Sequence, residues 1–178
     1  YHMFDTWKGG DCTSDQNVVK RIVEGGWKEI QWLERHGMHL SRTDEGRISK
    51  RQFGGHTIDF GRGDAFRAVF EADRTGKGMM DTAWGEARKR GAVFLNFSVA
   101  TELLFHEGAC AGAVLFHFRD GVFVKVLARA TVLATGGSGQ VYRITTNCRG
   151  NTGDGLAVVL RAGLPVMDAE AVQFHPTG

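Results

Sequence analysis

Three short segments decide the fold: Ala134-Thr135-Gly136-Gly137, then Asn151-Thr152-Gly153-Asp154-Gly155, then Gln173-Phe174-His175-Pro176-Thr177-Gly178. An apolar run ends in a double glycine, an acidic residue lies between glycines where a helix begins, and a histidine precedes a proline. This order is typical of a chain that passes under a dinucleotide and then presents a ring nitrogen to a substrate.

The double glycine follows an apolar run that starts at Val132 and continues as Thr-Gly-Gly-Ser-Gly to Gly139. Bare glycine backbone can come close to a bulky planar or phosphorylated ligand, because no side chain intervenes. The dinucleotide fingerprint GxGxxG is absent from the chain. The alternative interpretation of this segment is an ordinary glycine-rich turn after a strand.

Asp154 and His175 are the two candidate polar groups. A helix N-terminus carries free N–H groups and positive partial charge, so Asp154 is placed to accept hydrogen bonds from ribityl or ribose hydroxyls. An ordinary N-cap aspartate is the alternative. Pro176 restricts His175 to extended geometry, in which its imidazole can donate to a carboxylate. A purely structural histidine is the alternative, and no second ligand at metal spacing accompanies it.

The amino-acid composition indicates a globular protein and argues against several kinds of binding site. The 178 residues suffice for one medium domain, and 42% hydrophobic with 24% charged residues is typical of a globular protein. The net charge of +2 gives no strong field toward nucleic acid. Cys12, Cys110 and Cys148 form no CxxC pair, which favours reduced thiols over a zinc site or a disulfide framework. No apolar run reaches the roughly 20 residues that span a bilayer.

Periodicity predicts three helices and one hairpin. A helix capped by Ser14 or Asp15 runs to Gly37, and its Gly25-Gly26 pair predicts a close packing contact. A second helix is predicted over residues 73–91 and a third over 154–162. The runs 113–118 and 122–127 flank an Asp-Gly turn and predict a hairpin.

The remaining segments predict further strands. Residues 43–63 are polar and glycine-rich and favour an extended loop with short strand pieces. Residues 93–97 and 100–105 predict a strand pair, and residues 130–134 predict a short strand that leads to the double glycine. A crossover between parallel strands through the helix at 75–90 is expected. The fold class is therefore α/β, as part of a Rossmann-like domain with an antiparallel β-hairpin insertion.

Two other features of the sequence bear on function. Ser138 has no GxSxG context, which argues against a hydrolase triad. The middle of the chain is basic, and its cations are Arg42, Arg47, Lys50, Arg51, Arg62 and Arg67. A solvated loop is the preferred interpretation of these cations, with a nearby dicarboxylate or anionic cofactor as the functional alternative.

Taken together, the segments resemble the flavoprotein subunit of succinate dehydrogenase and fumarate reductase, with L-aspartate oxidase as the nearest relative outside that pair. The matching stretches follow the order of that family along nearly the whole chain. They are residues 2–6 with 8–11, 37–38 with 41–43, 53–55, 72–76, 134–137, 152–155, 161–165 and 173–178. Gly178 after His-Pro-Thr is more similar to the succinate and fumarate enzymes than to aspartate oxidase.

The resemblance implies an FAD-dependent oxidoreductase that interconverts succinate and fumarate by hydride transfer to or from the flavin. It implies electron transfer to an iron–sulfur subunit of a membrane-associated complex, with no nucleic acid and no direct membrane span. The implied location is peripheral, on the cytoplasmic face of the inner or plasma membrane or on the matrix side in mitochondria. An L-aspartate oxidase-type flavoenzyme and a non-catalytic α/β module remain the alternatives.

The resemblance also implies roles for individual residues. Ala100 and Asp154 match positions that contact FAD, and Thr135-Gly136-Gly137 matches a segment along the cofactor. His175 matches a histidine that binds a substrate carboxylate. No residue that carries out the chemical step is implied within the chain.

The resemblance further implies that residues 1–178 are a single, partial FAD-binding domain, a central segment that ends near the start of a capping domain. The GxGxxG turn and the flavin-linked histidine are expected before Tyr1. The proton-shuttling arginine, a substrate threonine, a second substrate histidine and a further arginine are expected after Gly178. We therefore expect the 178-residue chain alone neither to hold FAD tightly nor to turn over succinate.

Overall fold

The computed structural model describes residues 1–174, so His175 and the three residues after it lie outside the described part. The chain divides into two compact units, Tyr1–Val93 and Phe94–Gly178. The first unit contains α1 (His2–Gly9), α2 (Gln16–Arg35), β1 (Lys50–Ile58), β2 (Gly63–Val69) and α3 (Thr75–Lys89). The second contains β3 (Ser98–His106), β4 (Ala109–His117), β5 (Val122–Leu127), a 3-10 turn (Gly139–Val141) and α4 (Asp154–Arg161).

The predicted first helix is confirmed as α2. Asp15 is its N-cap, and the carboxylate accepts hydrogen bonds from the backbone N–H groups of Asn17 and Val18 at 2.7 and 3.3 Å. The chain leaves the helix through Gly37, whose φ of +99° suits glycine. The close contact predicted at Gly25 is wrong, because a Cβ added there would have no heavy atom within 4 Å.

The second helix is confirmed as α3, and a buried acid lies beside its first turn. Glu71 is only 8% exposed, and its Oε1 pairs with Arg74 Nε at 2.9 Å. A Cβ added at Gly78 would lie 1.8 Å from Glu71 Oε2. The carboxylate therefore fits against α3 only because position 78 has no side chain.

Short strand pieces were predicted within the loop over residues 43–63. β1 forms in the second half of that segment, and its antiparallel pairing with β2 was not predicted. The pairing jumps from Gln52 opposite Phe66 to Thr57 opposite Asp64, so residues 53–56 bulge out of the ladder. The glycines at 54 and 55 interrupt the alternation that identifies a strand, which explains why the sequence pattern indicated only short strand pieces in a loop.

Helix α1 was not predicted, and it is anchored to this hairpin by a polar cluster. The Asp5 cluster comprises Asp5, Thr57 and Arg67. Asp5 accepts hydrogen bonds from the Thr57 backbone N–H at 2.7 Å, from the Thr57 hydroxyl and from the Arg67 guanidinium. Arg67 also donates to the Thr57 carbonyl at 3.1 Å. One carboxylate thereby joins the helix to both strands.

The second unit contains a three-stranded antiparallel sheet in the order β3-β4-β5. The predicted hairpin is confirmed as β4 and β5, and the strand at 100–105 is confirmed within β3. The strand predicted over 93–97 is wrong. Phe97 has a φ of +58°, in the left-handed region, and the ladder with β4 begins one residue later at Ser98.

The strand predicted over residues 130–134 is also wrong for the chain as described. A strand is defined by its ladder, and none of the described residues pairs with this segment. The parallel crossover through α3 is wrong for the same reason, since both sheets within residues 1–174 are antiparallel. The mixed helix and strand class with an antiparallel hairpin is confirmed, and so is the third helix, as α4.

Candidate cofactor site

The double-glycine turn, residues 134–139, lies against the start of α4. The backbone N–H of Gly153 donates to the carbonyl of Gly137 at 3.3 Å. The N–H of Gln140, just after the turn, donates to the carbonyl of Asn151 at 2.9 Å. The first two segments singled out in the sequence therefore form one contiguous site in the second unit.

Close packing between these segments requires glycine at two positions. A Cβ added at the buried Gly155 would lie 2.0 Å from Thr135 Oγ1. A Cβ added at Gly139 would lie 2.5 Å from Asn147 Oδ1. Both distances are far below any allowed contact. Gly155 therefore serves the packing of the turn against α4, and Gly139 serves its packing against the loop that precedes α4.

The other two glycines of the turn leave their backbone open. Gly136 and Gly137 are exposed, and Gly136 has a φ of +78°, which favours glycine. No hydrogen bond within residues 1–174 uses the N–H groups of 135–137. Exposed N–H groups that no described residue uses fit a large planar or phosphorylated cofactor, because they remain available to it.

Asp154 is the first residue of α4 rather than its N-cap. The cap is Gly153, with a φ of +77° and no side-chain capping bond, so the interpretation of Asp154 as an ordinary N-cap is wrong. The exposed carboxylate accepts a hydrogen bond from Thr152 Oγ1 at 2.7 Å. It lies at the N-terminal end of α4, where the helix carries positive partial charge. A carboxylate with spare acceptor capacity therefore borders the glycine turn.

An amide network that the sequence reading missed holds the intervening loop. Asn151 Nδ2 donates to Asn147 Oδ1 at 2.9 Å, and Gln140 Nε2 donates to the Asn147 carbonyl at 2.9 Å. The thiol of Cys148 lies 3.4 Å from Asn151 Oδ1. The signal in the sequence was two asparagines four residues apart between two glycine segments, a spacing that lets their amides pair across one turn.

Ala100 lies in β3 opposite Leu115 and is half-buried. Its neighbour Thr101 accepts a hydrogen bond from Arg161 of α4 at 3.0 Å through its carbonyl. Ala100 is therefore linked to the glycine turn through α4, and the described contacts do not join it to the turn directly. His175, the fourth predicted site position, lies outside the described residues.

The basic middle segment is only partly a solvated loop. Arg42 pairs with Glu34 and donates to the Gly46 carbonyl at 2.7 Å, whereas Arg67 belongs to the Asp5 cluster.

The three cysteines are free thiols, as predicted. Residues 1–174 contain no grouping of three histidine, cysteine or acidic side chains arranged for a metal ion. Among these residues, no helix combines the length and apolarity needed to cross a bilayer.

Comparison with known proteins places this geometry in a family. The sequence matches the FAD binding domain family over residues 1–178. It is 43% identical to the mitochondrial succinate dehydrogenase flavoprotein subunit of Oryza sativa subsp. japonica, over 100% of this chain and 29% of that protein. It is also 43% identical to the succinate dehydrogenase flavoprotein subunit of Coxiella burnetii, over 100% of this chain and 30% of that protein.

A solved structure supports the same family. A structure of an FrdA variant of E. coli quinol fumarate reductase superposes with a TM-score of 0.91 and 36% identity, over 100% of this chain and 29% of that one. The chain thus spans less than a third of each of these relatives. The family resemblance seen in the sequence motifs is confirmed. The chain belongs to the FAD binding domain family, and its cofactor is FAD.

Proposed function

We propose that this chain works within an FAD-dependent oxidoreductase that interconverts succinate and fumarate. The support is the pair of 43%-identical relatives named as succinate dehydrogenase flavoprotein subunits, together with the fumarate reductase structure. We further propose that electrons pass to an iron–sulfur partner subunit and that the assembly is peripheral to a membrane. In this proposal residues 1–178 are a partial FAD-binding domain that does not turn over succinate alone.

The glycine turn and Asp154 are proposed to hold FAD. The observation that carries this proposal is the junction of the two segments, where Gly153 N–H meets the Gly137 carbonyl at 3.3 Å. Thr135, Gly136 and Gly137 offer unused N–H groups to the cofactor, and the Asp154 carboxylate accepts from a sugar or ribityl hydroxyl. Ala100 is proposed to contact the same cofactor, a role suited to its small side chain.

His175 is proposed to bind a substrate carboxylate. Bound FAD supplies a two-electron hydride acceptor or donor. The protein's contribution is to fix a dicarboxylate in register with the flavin, and an imidazole N–H aimed at one carboxylate provides part of that positioning. Pro176 supports the role because it restricts the backbone of the preceding residue.

The cofactor assignment is tested by Asp154→Ala in the intact protein, with FAD affinity measured by fluorescence titration. Loss of a charge-assisted hydrogen bond is expected to weaken binding by about tenfold or more. Asp44→Ala is the matched control, because Asp44 is an exposed loop aspartate of the other unit. Equal FAD affinity in both variants would remove Asp154 from the site.

The substrate assignment is tested by His175→Ala. We expect weaker succinate binding and slower flavin reduction while FAD remains bound, measured by stopped-flow absorbance. Loss of FAD with unchanged succinate affinity would contradict the role.

Oxidation of L-aspartate in place of succinate by the unmodified protein would overturn the proposed reaction and favour an aspartate oxidase. Failure of the intact protein to bind FAD would leave only a non-catalytic module.

A further inference from the structure

The two edges of the three-stranded sheet in the second unit differ. The edge formed by β3 is met by α4, where Arg161 donates to the Thr101 carbonyl at 3.0 Å. The edge formed by β5 has no neighbour among the described residues, because β5 ends the strand order. A strand edge without a partner is a template for pairing with another chain.

The direction of the free backbone groups on β5 follows from its ladder. The Ala128 N–H donates to the Ala111 carbonyl at 2.9 Å, and Ala113 pairs with Val126 two residues along. In an antiparallel ladder, hydrogen-bonded pairs alternate with pairs whose N–H and C=O groups point outward. The outward groups therefore belong to residues 123, 125 and 127.

The β5 edge has neither a bulge nor a proline, two features that discourage pairing, and Lys125 is its only charged residue. Its ladder with β4 runs from Gly112 opposite Leu127 to His117 opposite Val122 without a register shift, whereas the ladder between β3 and β4 has two. β5 contains no proline. Bulges and prolines are common devices that protect natural edges, so a regular edge without them is competent to accept a further strand.

The side chains along this edge alternate between apolar and cationic. Phe123 and Leu127 are 68% and 73% exposed, and Lys125 lies exposed between them on the same face. Arg129 continues the alternation. Together with Lys125 and Leu127 it lines a surface cavity of roughly 560 Å³. Neither Lys125 nor Arg129 has an ion-pair partner among the described residues.

We propose that β5 is a docking edge for an extended segment of a partner protein in which apolar and acidic residues alternate at every second position. The partner strand would pair with the outward groups of residues 123, 125 and 127. Its apolar side chains would lie beside Phe123 and Leu127, and its carboxylates beside Lys125 and Arg129. Cross-strand neighbours on one face interact in this way within sheets, and strand addition is an established mode of peptide recognition.

The test uses the intact protein and a fluorescein-labelled peptide of sequence Thr-Val-Thr-Asp-Thr-Val-Thr-Asp-Thr, with binding followed by fluorescence anisotropy. Saturable binding is expected. Lys125→Glu should weaken it by about tenfold, because an opposite-charge pair becomes a like-charge pair. A peptide with lysine at both aspartate positions should bind the Lys125→Glu variant better than it binds the unmodified protein. Lys28→Glu, an exposed charge change on α2, is the matched control and should leave both affinities unchanged.

Backbone pairing is tested separately from charge. A peptide of the same sequence, N-methylated at the residues whose N–H groups would face β5, should not bind, because it cannot complete the ladder. Equal binding of the methylated peptide would overturn strand addition. Absence of saturable binding to the intact protein would overturn the docking role, whether because another part of the protein covers the edge or because Lys125 serves only to prevent pairing. Both outcomes are independent of FAD content and of succinate turnover.

Discussion

The Asp5 cluster in the first unit and the double-glycine turn in the second bring distant backbone segments together by opposite means. At Asp5 a nearly buried carboxylate, 6% exposed, takes hydrogen bonds from a backbone amide, a hydroxyl and a guanidinium. At the turn, close approach depends on missing side chains, since a Cβ at Gly155 would strike Thr135. Close approach of the backbone segments therefore depends on a polar side chain in the first region and on the lack of a side chain in the second.

The sharpest test of this contrast is Asp5→Ala. It leaves the Arg67 guanidinium, 19% exposed, without its carboxylate, and breaking a buried pair by removing one member costs about 3 kcal/mol. We expect that loss in the free energy of unfolding of the first unit, measured by urea denaturation. Asp81→Ala is the control. Its pair with Lys77 is exposed on both sides, so a loss below about 0.5 kcal/mol is expected. Equal losses would show that the cluster adds no more than a surface pair.

In the second unit the corresponding variant is Gly155→Ala. The added methyl overpacks the contact with Thr135, and we expect about 2 kcal/mol of destabilisation, with reduced FAD retention. Thr135→Gly in the same molecule should restore part of the stability, because it removes the atoms struck. Gly150→Ala should be nearly neutral, since nothing lies within 4 Å of a Cβ there. A neutral Gly155→Ala would show that the turn relaxes freely.

Acid should destabilise the first unit in two steps. Burial and the neighbouring Arg67 lower the pKa values of His2 and His56 below their ordinary 6.5. The unfolded chain then binds more protons, so stability present above pH 6.5 is lost as the pH falls below it. His56→Gln should flatten that slope, as followed by the urea midpoint between pH 7 and 5. An unchanged slope would exclude His56 as its source.

A further loss is expected at lower pH from Asp5. Its burial raises the pKa, but the hydrogen bonds from Thr57 and Arg67 outweigh burial and hold the pKa well below the ordinary 3.8. The stability that Asp5 contributes is therefore complete above pH 3.8 and disappears as the pH falls further. Asp5→Asn should remove this second, acidic step from the stability profile.

The smallest expected change in the free energy of unfolding is a gain in stability. Gly25 lies inside α2, and a Cβ there meets no heavy atom within 4 Å. Gly25→Ala should stabilise the first unit by about 0.5–1 kcal/mol, because alanine loses less backbone entropy in a helix. A thermal melt would show the gain. Destabilisation would mean that something outside the described residues packs against this position.

The sequence was informative wherever the signal was local. Helices α2, α3 and α4 followed from apolar spacing and caps such as Asp15, and the hairpin of β4 and β5 followed from its Asp-Gly turn. The contact between the glycine turn and α4 agreed with the motif order. The amide network of the intervening loop was not predicted. The four-residue spacing of Asn147 and Asn151 permits their amides to pair, but Gln140 completes the network from seven residues away.

The sequence failed wherever partners are distant. Only short strand pieces were predicted where β1 forms, and its pairing with β2 was not predicted. The bulge at 53–56 interrupts the alternation, and Asp5, which fixes the hairpin, lies 52 residues from Thr57. The run at 130–134 has the composition of a strand, but no described segment pairs with it. Strand composition measures fit to a pleated surface, and the ladder itself is a tertiary property.

The hydrogen bonds of the Asp5 carboxylate join residues that are far apart in the sequence, and this separation affects the order of folding. Its bonds to Thr57 and Arg67 close loops of 52 and 62 residues, whereas β1 and β2 are joined by a short turn. Local contacts form before distant ones because they restrict less of the chain. We therefore expect α1 to dock last and to detach first, so that pulse-labelled hydrogen exchange would protect the hairpin amides earlier than those of α1.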